Sequence, residues 1–152
     1  MKTYQNILFI LVGLLLFACK PEPQQISYGQ TNCGHCNMTV SDSRYGAELV
    51  NSKGKAFFFD SAECLAAYLN DNPKQEQEAA FVLVTDFTKP NTLVDAKQAA
   101  FLQSEQLPSP MGMFLTAFAD AQTATQFQQK HTGRLLSWKE AMLAVQKNEK
   151  PL

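Results

Sequence analysis

Cys33-Gly34-His35-Cys36-Asn37-Met38 places two thiols, an imidazole and a thioether within six residues. Thiolates and thioethers are soft donors, selecting Cu(I), Zn(II) or iron–sulfur clusters over hard, oxygen-seeking ions. The methionine narrows the choice, because zinc sites are built from Cys, His and carboxylate rather than thioether. C-x-x-C alone has several readings, whereas C-x-x-C-x-M points towards monovalent copper. Residues two apart in an extended segment share a direction, so Cys36 and Met38 are expected to face one ion together. Cys33 is open between a third ligand, a disulfide partner of Cys36 and a structural thiol. A Cys33–Cys36 disulfide would block a metal until reduced. His35 is turned elsewhere by the same alternation and reads as a solvated loop residue.

Further along, Met111 and Met113 flank Gly112, between a proline-broken link and a strand. Glycine permits close backbone approach, so this segment could pass over the first-half motif and supply a second soft donor. His131 falls on the apolar stripe of a helix near its C-terminus, where the dipole favours an imidazole, and reads as a packing residue. Met142 reads as core. Cys64, at an exposed or flank position of an amphipathic helix, reads as a small filler.

The elements that must position these groups follow from periodicity and punctuation. Tyr45–Val50 and Lys55–Phe59 read as a hairpin across the turn cluster Asn51–Gly54. Asp60 or Ser61 caps a helix with Ser61, Leu65, Tyr68 and Leu69 on one face, ended by Asn70–Pro73. A charged loop, Lys74–Glu78, leads to the strand Phe81–Phe87. The second half resembles a looser copy. Strands at 92–95, 99–105 and 114–119 precede a helix capped by Asp120, with Ala124, Phe127 and His131 as its stripe and Gly133 placed to terminate it. The repeat rests on aligning Ala56–Asp60 with Thr116–Asp120. Arg134–Leu136 and a helix opened by the Ser137…Glu140 capping box close the chain, with Trp138, Ala141, Met142 and Val145 inward. The expected class is α+β: two related ββα-type halves, with small antiparallel sheets and helices packed on one face.

The chain opens with Lys2 and an apolar run from Ile7 to Ala18, too short for a spanning helix of roughly 18–20 residues. Together with Leu16-Phe17-Ala18-Cys19, which resembles a bacterial lipobox, it reads as a lipoprotein signal. The expected division is residues 1–18 as signal peptide, 19–30 as a lipid-anchored tether and 31–152 as one metal-binding domain, with halves of about 31–90 and 91–152. Cys19 would carry the lipid, leaving an odd three thiols, so this is not a disulfide framework. Removing residues 1–18 takes away one lysine and leaves a net charge near −2. No basic stripe is present to bind nucleic acid.

On Cys19, the C-x-x-C-x-M of Cys33 to Met38, and Met111-Gly112 followed by Ala117-Phe118, the chain resembles the NosL family, the membrane-anchored copper chaperones of nitrous-oxide reductase maturation. The resemblance implies two related ββα-type halves. It also implies Cu(I) held by Cys36 and Met38, with Met111 as second-half donor and Met113 as its alternative. Partners on this basis are a copper donor protein, apo nitrous-oxide reductase and a bacterial membrane, with the domain facing the periplasm. Asn37 stands where the family has glycine, and Asn tolerates the left-handed conformation better than most residues.

Two other functions compete. A thiol–disulfide oxidoreductase would use Cys33 and Cys36, but such a motif belongs at the start of a helix in a thioredoxin-like unit. Here it precedes a strand hairpin. A structural lipoprotein with a zinc half-site would need a second ligand pair, and His35, Cys64 and His131 are poorly spaced for one. No Ser-His-Asp order, phosphate-cradling glycine loop or paired-carboxylate arrangement emerges, so no enzymatic activity is expected.

Overall fold

A computed structural model describes residues 20–151. The expected signal peptide and the lipidation at Cys19 lie outside the described residues. β1 (Ala47–Asn51) and β2 (Ala56–Phe59) form the first hairpin. Asn51 Oδ1 accepts the N–H groups of Lys53 and Lys55, each at 3.0 Å, so an asparagine side chain shapes the turn. β3 (Ala79–Thr85) pairs antiparallel with the other side of β1, and β4 (Leu93–Asp95) extends the sheet in the order β2-β1-β3-β4. In the second sheet β5 (Ala100–Gln103) lies between β6 (Leu115–Phe118) and β7 (Arg134–Leu136), again antiparallel.

Four helices complete the described fold: α1 (Ala62–Asp71), α2 (Pro73–Gln77), α3 (Ala121–His131) and α4 (Trp138–Gln146). The architecture is α+β with two small antiparallel sheets, as the sequence pattern implies. Each half runs hairpin, helix, then a third strand added on the opposite side of the first strand. The helix caps set the register between the halves. Ser61 accepts the N–H of Cys64, and Asp120 accepts that of Thr123. Ser61 therefore corresponds to Asp120, and Asp60 to Ala119, one residue away from the alignment that matches Asp60 with Asp120. Gly133 follows Thr132, whose φ of 53° ends α3. A side chain on Gly133 would collide with the Gln103 carbonyl.

Leu49, Phe59, Leu65, Leu69, Val84 and Phe101 are buried in one core shared by both halves. Full burial of each such side chain contributes about 1.5–3 kcal/mol. Trp138 brings α4 onto this core, with its ring centroid 5.5 Å from that of Phe101. A second cluster joins Leu102, Leu107, Phe118 and Ala124 to Phe87 and Phe127. Polar ties also cross between the halves. Tyr45 donates to the Pro108 carbonyl at 2.9 Å, the Phe87 N–H to Ala117 at 2.9 Å, and Asn70 to Met142 at 3.0 Å.

The segment expected to be a loop at 74–78 instead holds most of α2, because Pro73 takes its first position, where a missing N–H costs nothing. The segment ahead of residue 31 lies on the domain. Pro21 abuts Gly54, the Gln24 N–H donates to buried Glu48 at 2.8 Å, and Ile26 and Tyr28 cover Gly46 so closely that a Cβ there would overlap them. Among the described residues no helix is long and apolar enough to cross a membrane.

Candidate metal centre

The soft-donor motif folds as a tight reversal rather than an extended run. Asn32 bridges Thr39, the Cys33 N–H donates to Met38 at 2.8 Å, and the Asn37 N–H donates to Cys33 at 3.0 Å. Asn37 makes the reversal with φ of 64°, the left-handed conformation its short polar side chain tolerates. The Gly34 N–H donates to Phe58 at 2.7 Å and docks the loop on the end of β2. The expected alternation therefore fails. Cys33 is buried at 2% exposure, Cys36 is half-buried, and Met38 is 57% exposed. His35 is exposed, as expected.

The other half of the site comes from the start of α1. Ser61 takes the cap, leaving Asp60 free to turn its carboxylate towards the loop. Cys33 Sγ lies 3.6 Å from Asp60 Oδ1, and Cys36 Sγ lies 3.7 Å from Oδ2. Cys64, in the first turn of α1, completes the group at 1% exposure. Donor atoms of Cys33, Cys36, Asp60 and Cys64 all lie within 4.8 Å of one another. Cys64 is thus no filler on a helix flank, and neither it nor Asp60 is singled out by the sequence motif. The available signal was the pair Asp60-Ser61: two capping residues stand side by side, one cap position exists, and a thiol follows in the first helical turn.

The three thiols are free and differ in acidity. Cys33 is pulled well below the ordinary thiol range by a hydrogen bond from Cys64, against burial, and by the N–H groups of Cys36, His35 and Asp60. Cys36 is pushed up, first by burial. Cys64 is pushed up by its hydrogen bond to Cys33, then by burial and the charge of Asp60. The arrangement makes Cys33 the most readily ionised of the three, with Cys36 and Cys64 holding their protons more tightly. Metal ligation needs thiolates, so an entering cation would displace the protons of Cys36 and Cys64.

The second-half methionines separate. Met113 is buried in the core cluster that contains Cys33 and Cys64, and Met111 is 39% exposed. Their loop is tied to α1 through Glu63, which accepts the Met111 N–H at 3.0 Å. His131 stacks on Phe127 with centroids 5.8 Å apart, the packing role its stripe position implies.

The sequence model of the NosL family matches residues 23–145. The chain belongs to the NosL family. Among solved structures, it resembles the crystal structure of the copper chaperone NosL from Shewanella denitrificans. The TM-score is 0.68 and the identity 23%, over 79% of this chain and 96% of that one. The likeness carries the fold. No curated protein sequence gives a match.

In this NosL-family chain the donor set suits a small thiophilic ion. Metal–sulfur bonds of about 2.3 Å in a tetrahedron put sulfurs roughly 3.8 Å apart, so donors spread over 4.8 Å need contract by only about 1 Å. Three thiolates satisfy Cu(I), which accepts two or three soft ligands. The carboxylate oxygen of Asp60 is a harder donor, better matched to Zn(II).

Proposed function

We propose that this chain is a Cu(I) metallochaperone, exported and lipid-anchored at Cys19 to a bacterial membrane, that supplies copper to nitrous-oxide reductase during its maturation. The observation that carries this reading is the convergence of three free thiols from two elements on one buried point beside Asp60. Copper is cargo here, so the protein has no turnover of its own. Cys33, Cys36 and Cys64 hold the ion as thiolates, and Asp60 accepts the hydrogen bond of the protonated Cys36 before the ion enters. Met38 and Met111 present thioethers at the surface, where they need no deprotonation; each adds a weaker contact to the bound ion and serves as a hand-over donor. Met113 packs. A copper donor protein loads the site from the periplasmic side. Residues 1–18 are removed on export, the residues just ahead of Pro21 join lipid to domain, and the packed segment from Pro21 to Tyr28 acts with 31–152 as one metal-binding unit.

The test is anaerobic Cu(I) titration of the reduced protein lacking residues 1–19, against a competing chelator. One tight equivalent is expected. Cys33→Ser, Cys36→Ser and Cys64→Ser should each lower the affinity at least tenfold, while Asp60→Asn changes it little. Unchanged affinity in all three thiol variants would overturn the reading. Tighter binding of Zn(II) than of Cu(I), lost in Asp60→Asn, would replace copper delivery with a zinc site.

A further inference from the structure

Glu63 is 2% exposed, and no lysine, arginine or histidine forms an ion pair with it among the described residues. Burying a carboxylate without a cation is costly, and first-turn helix positions favour acidic residues without requiring that they be buried. What it gains is one loop. Its Oε1 accepts the Ser109 hydroxyl and, at 3.0 Å, the Leu115 N–H, while Oε2 accepts the Met111 N–H at 3.0 Å. Ser109 Oγ in turn accepts the Phe114 N–H at 2.8 Å. All these hydrogen bonds fall between Ser109 and Leu115, the segment that displays Met111. The loop needs the help, because Gly112 and Phe114 both take left-handed backbone, φ 69° and 61°, and for phenylalanine that is a strained state. From the opposite side, Gln103 Nε2 donates to the Met113 carbonyl at 2.9 Å.

We propose that Glu63 is a positioning residue that fixes the Met111 thioether relative to the thiol cluster. The inference rests on the copper reading above and deepens it. Glu63 precedes Cys64 in α1, so a single turn of helix carries both a cluster thiol and the clamp on the methionine loop. Glu63 thereby ties the methionine loop of the second half to the site in the first half, beside the packing of Met113 in the shared core. Glu63 touches no metal on this account; it sets where Met111 stands.

The experiment compares Glu63→Gln, Met111→Leu and the double variant by Cu(I) competition titration. Glu48→Gln serves as control, because Glu48 is equally buried but accepts only the Gln24 N–H. Glu63→Gln is expected to weaken Cu(I) binding about tenfold, Met111→Leu by a similar factor, and the double variant no further than Met111→Leu alone. Glu48→Gln should leave affinity unchanged. Ser109→Ala, which removes one partner of the clamp, should show the same pattern more weakly and substitutes for Glu63→Gln if that variant does not fold. Methyl-labelled methionine spectra of the metal-free protein give a second readout: Glu63→Gln should shift or broaden Met111 and spare Met38 and Met142. Full additivity of Glu63→Gln with Met111→Leu, or wild-type affinity in Glu63→Gln, would overturn the proposal. Should the parent protein bind no Cu(I), the copper reading fails by itself. An unperturbed Met111 signal in Glu63→Gln would then overturn the positioning role separately.

Discussion

Asp60 and Ser61 both belong to the residue types that cap helices, and only one of them can occupy the position. Because Ser61 does, Asp60 becomes an acidic neighbour for three thiols rather than a helix accessory. This is why the sequence exposes half of the site and hides the rest. Cys33 and Cys36 are conspicuous by spacing, while Asp60 and Cys64 gain their meaning only when β2 runs into α1 beneath the loop. A buried carboxylate elsewhere gives a test of residue-scale electrostatics. Glu48 is fully buried on β1, one of its oxygens has no partner, and burial raises its pKa against the Gln24 N–H that lowers it. A carboxyl whose folded pKa lies above its unfolded value stabilises the fold below the unfolded pKa, and that contribution is lost as pH rises through the folded one. Glu48→Gln should therefore match the parent protein at pH 4 and exceed it by about 1–2 kcal/mol at pH 8, the scale of an unsatisfied buried polar group. Urea midpoints across that pH range are the measurement, and a gap that narrows with pH would contradict it.

Two helices in this chain open with serine caps of different consequence. Ser61 starts the helix that carries Cys64 and Glu63, whereas the Ser137–Glu140 capping box starts α4, which is not among the site's elements. Each Ser→Ala change should cost about 0.5–2 kcal/mol of stability. Ser61→Ala alone should also weaken metal binding, because fraying the first turn of α1 moves Cys64. Thermal melts with and without metal would separate the two effects, and equal losses of affinity would refute it. Elements were the most legible level in the sequence. Strand propensity, the Asn51–Gly54 turn and the Ser137–Glu140 cap are local signals, and the structure follows them, while the fold decides between Asp60 and Ser61 at α1. The reversal at Cys33–Met38 was not legible, because it depends on Asn37 entering left-handed backbone and on Gly34 docking against Phe58, a long-range contact. Helix α2 was missed because its polar, glutamine-rich stretch shows no apolar period.

The whole molecule behaves as one body because the halves share a core instead of meeting at a thin interface. Phe87, which follows β3, packs on Phe118 of β6 and Phe127 of α3 with centroids 6.0 and 5.9 Å away. Unfolding should accordingly be a single transition, with far-UV and near-UV circular dichroism superposing in denaturant, and Phe87→Ala, at a partly buried ring, should shift that transition by about 2 kcal/mol without splitting it. Two separate transitions would show the halves to be independent. The repeat was legible in outline and misaligned by one residue, since like residue types suggested Asp60 against Asp120 where backbone capping pairs Ser61 with Asp120. The segment from Pro21 to Tyr28 governs the molecule's reach. Pro21 already rests at Gly54, by the β1–β2 turn, and an extended residue spans about 3.5 Å, so anything joined just ahead of Lys20 is held within roughly 10 Å of that turn. Asp60 lies at the other end of β2, about 13 Å away at 3.3 Å per residue. A protein secured by its leading end would thus stand on a short stalk with little freedom to tumble. Its thiol pole would face outward, and a partner would have to come to it.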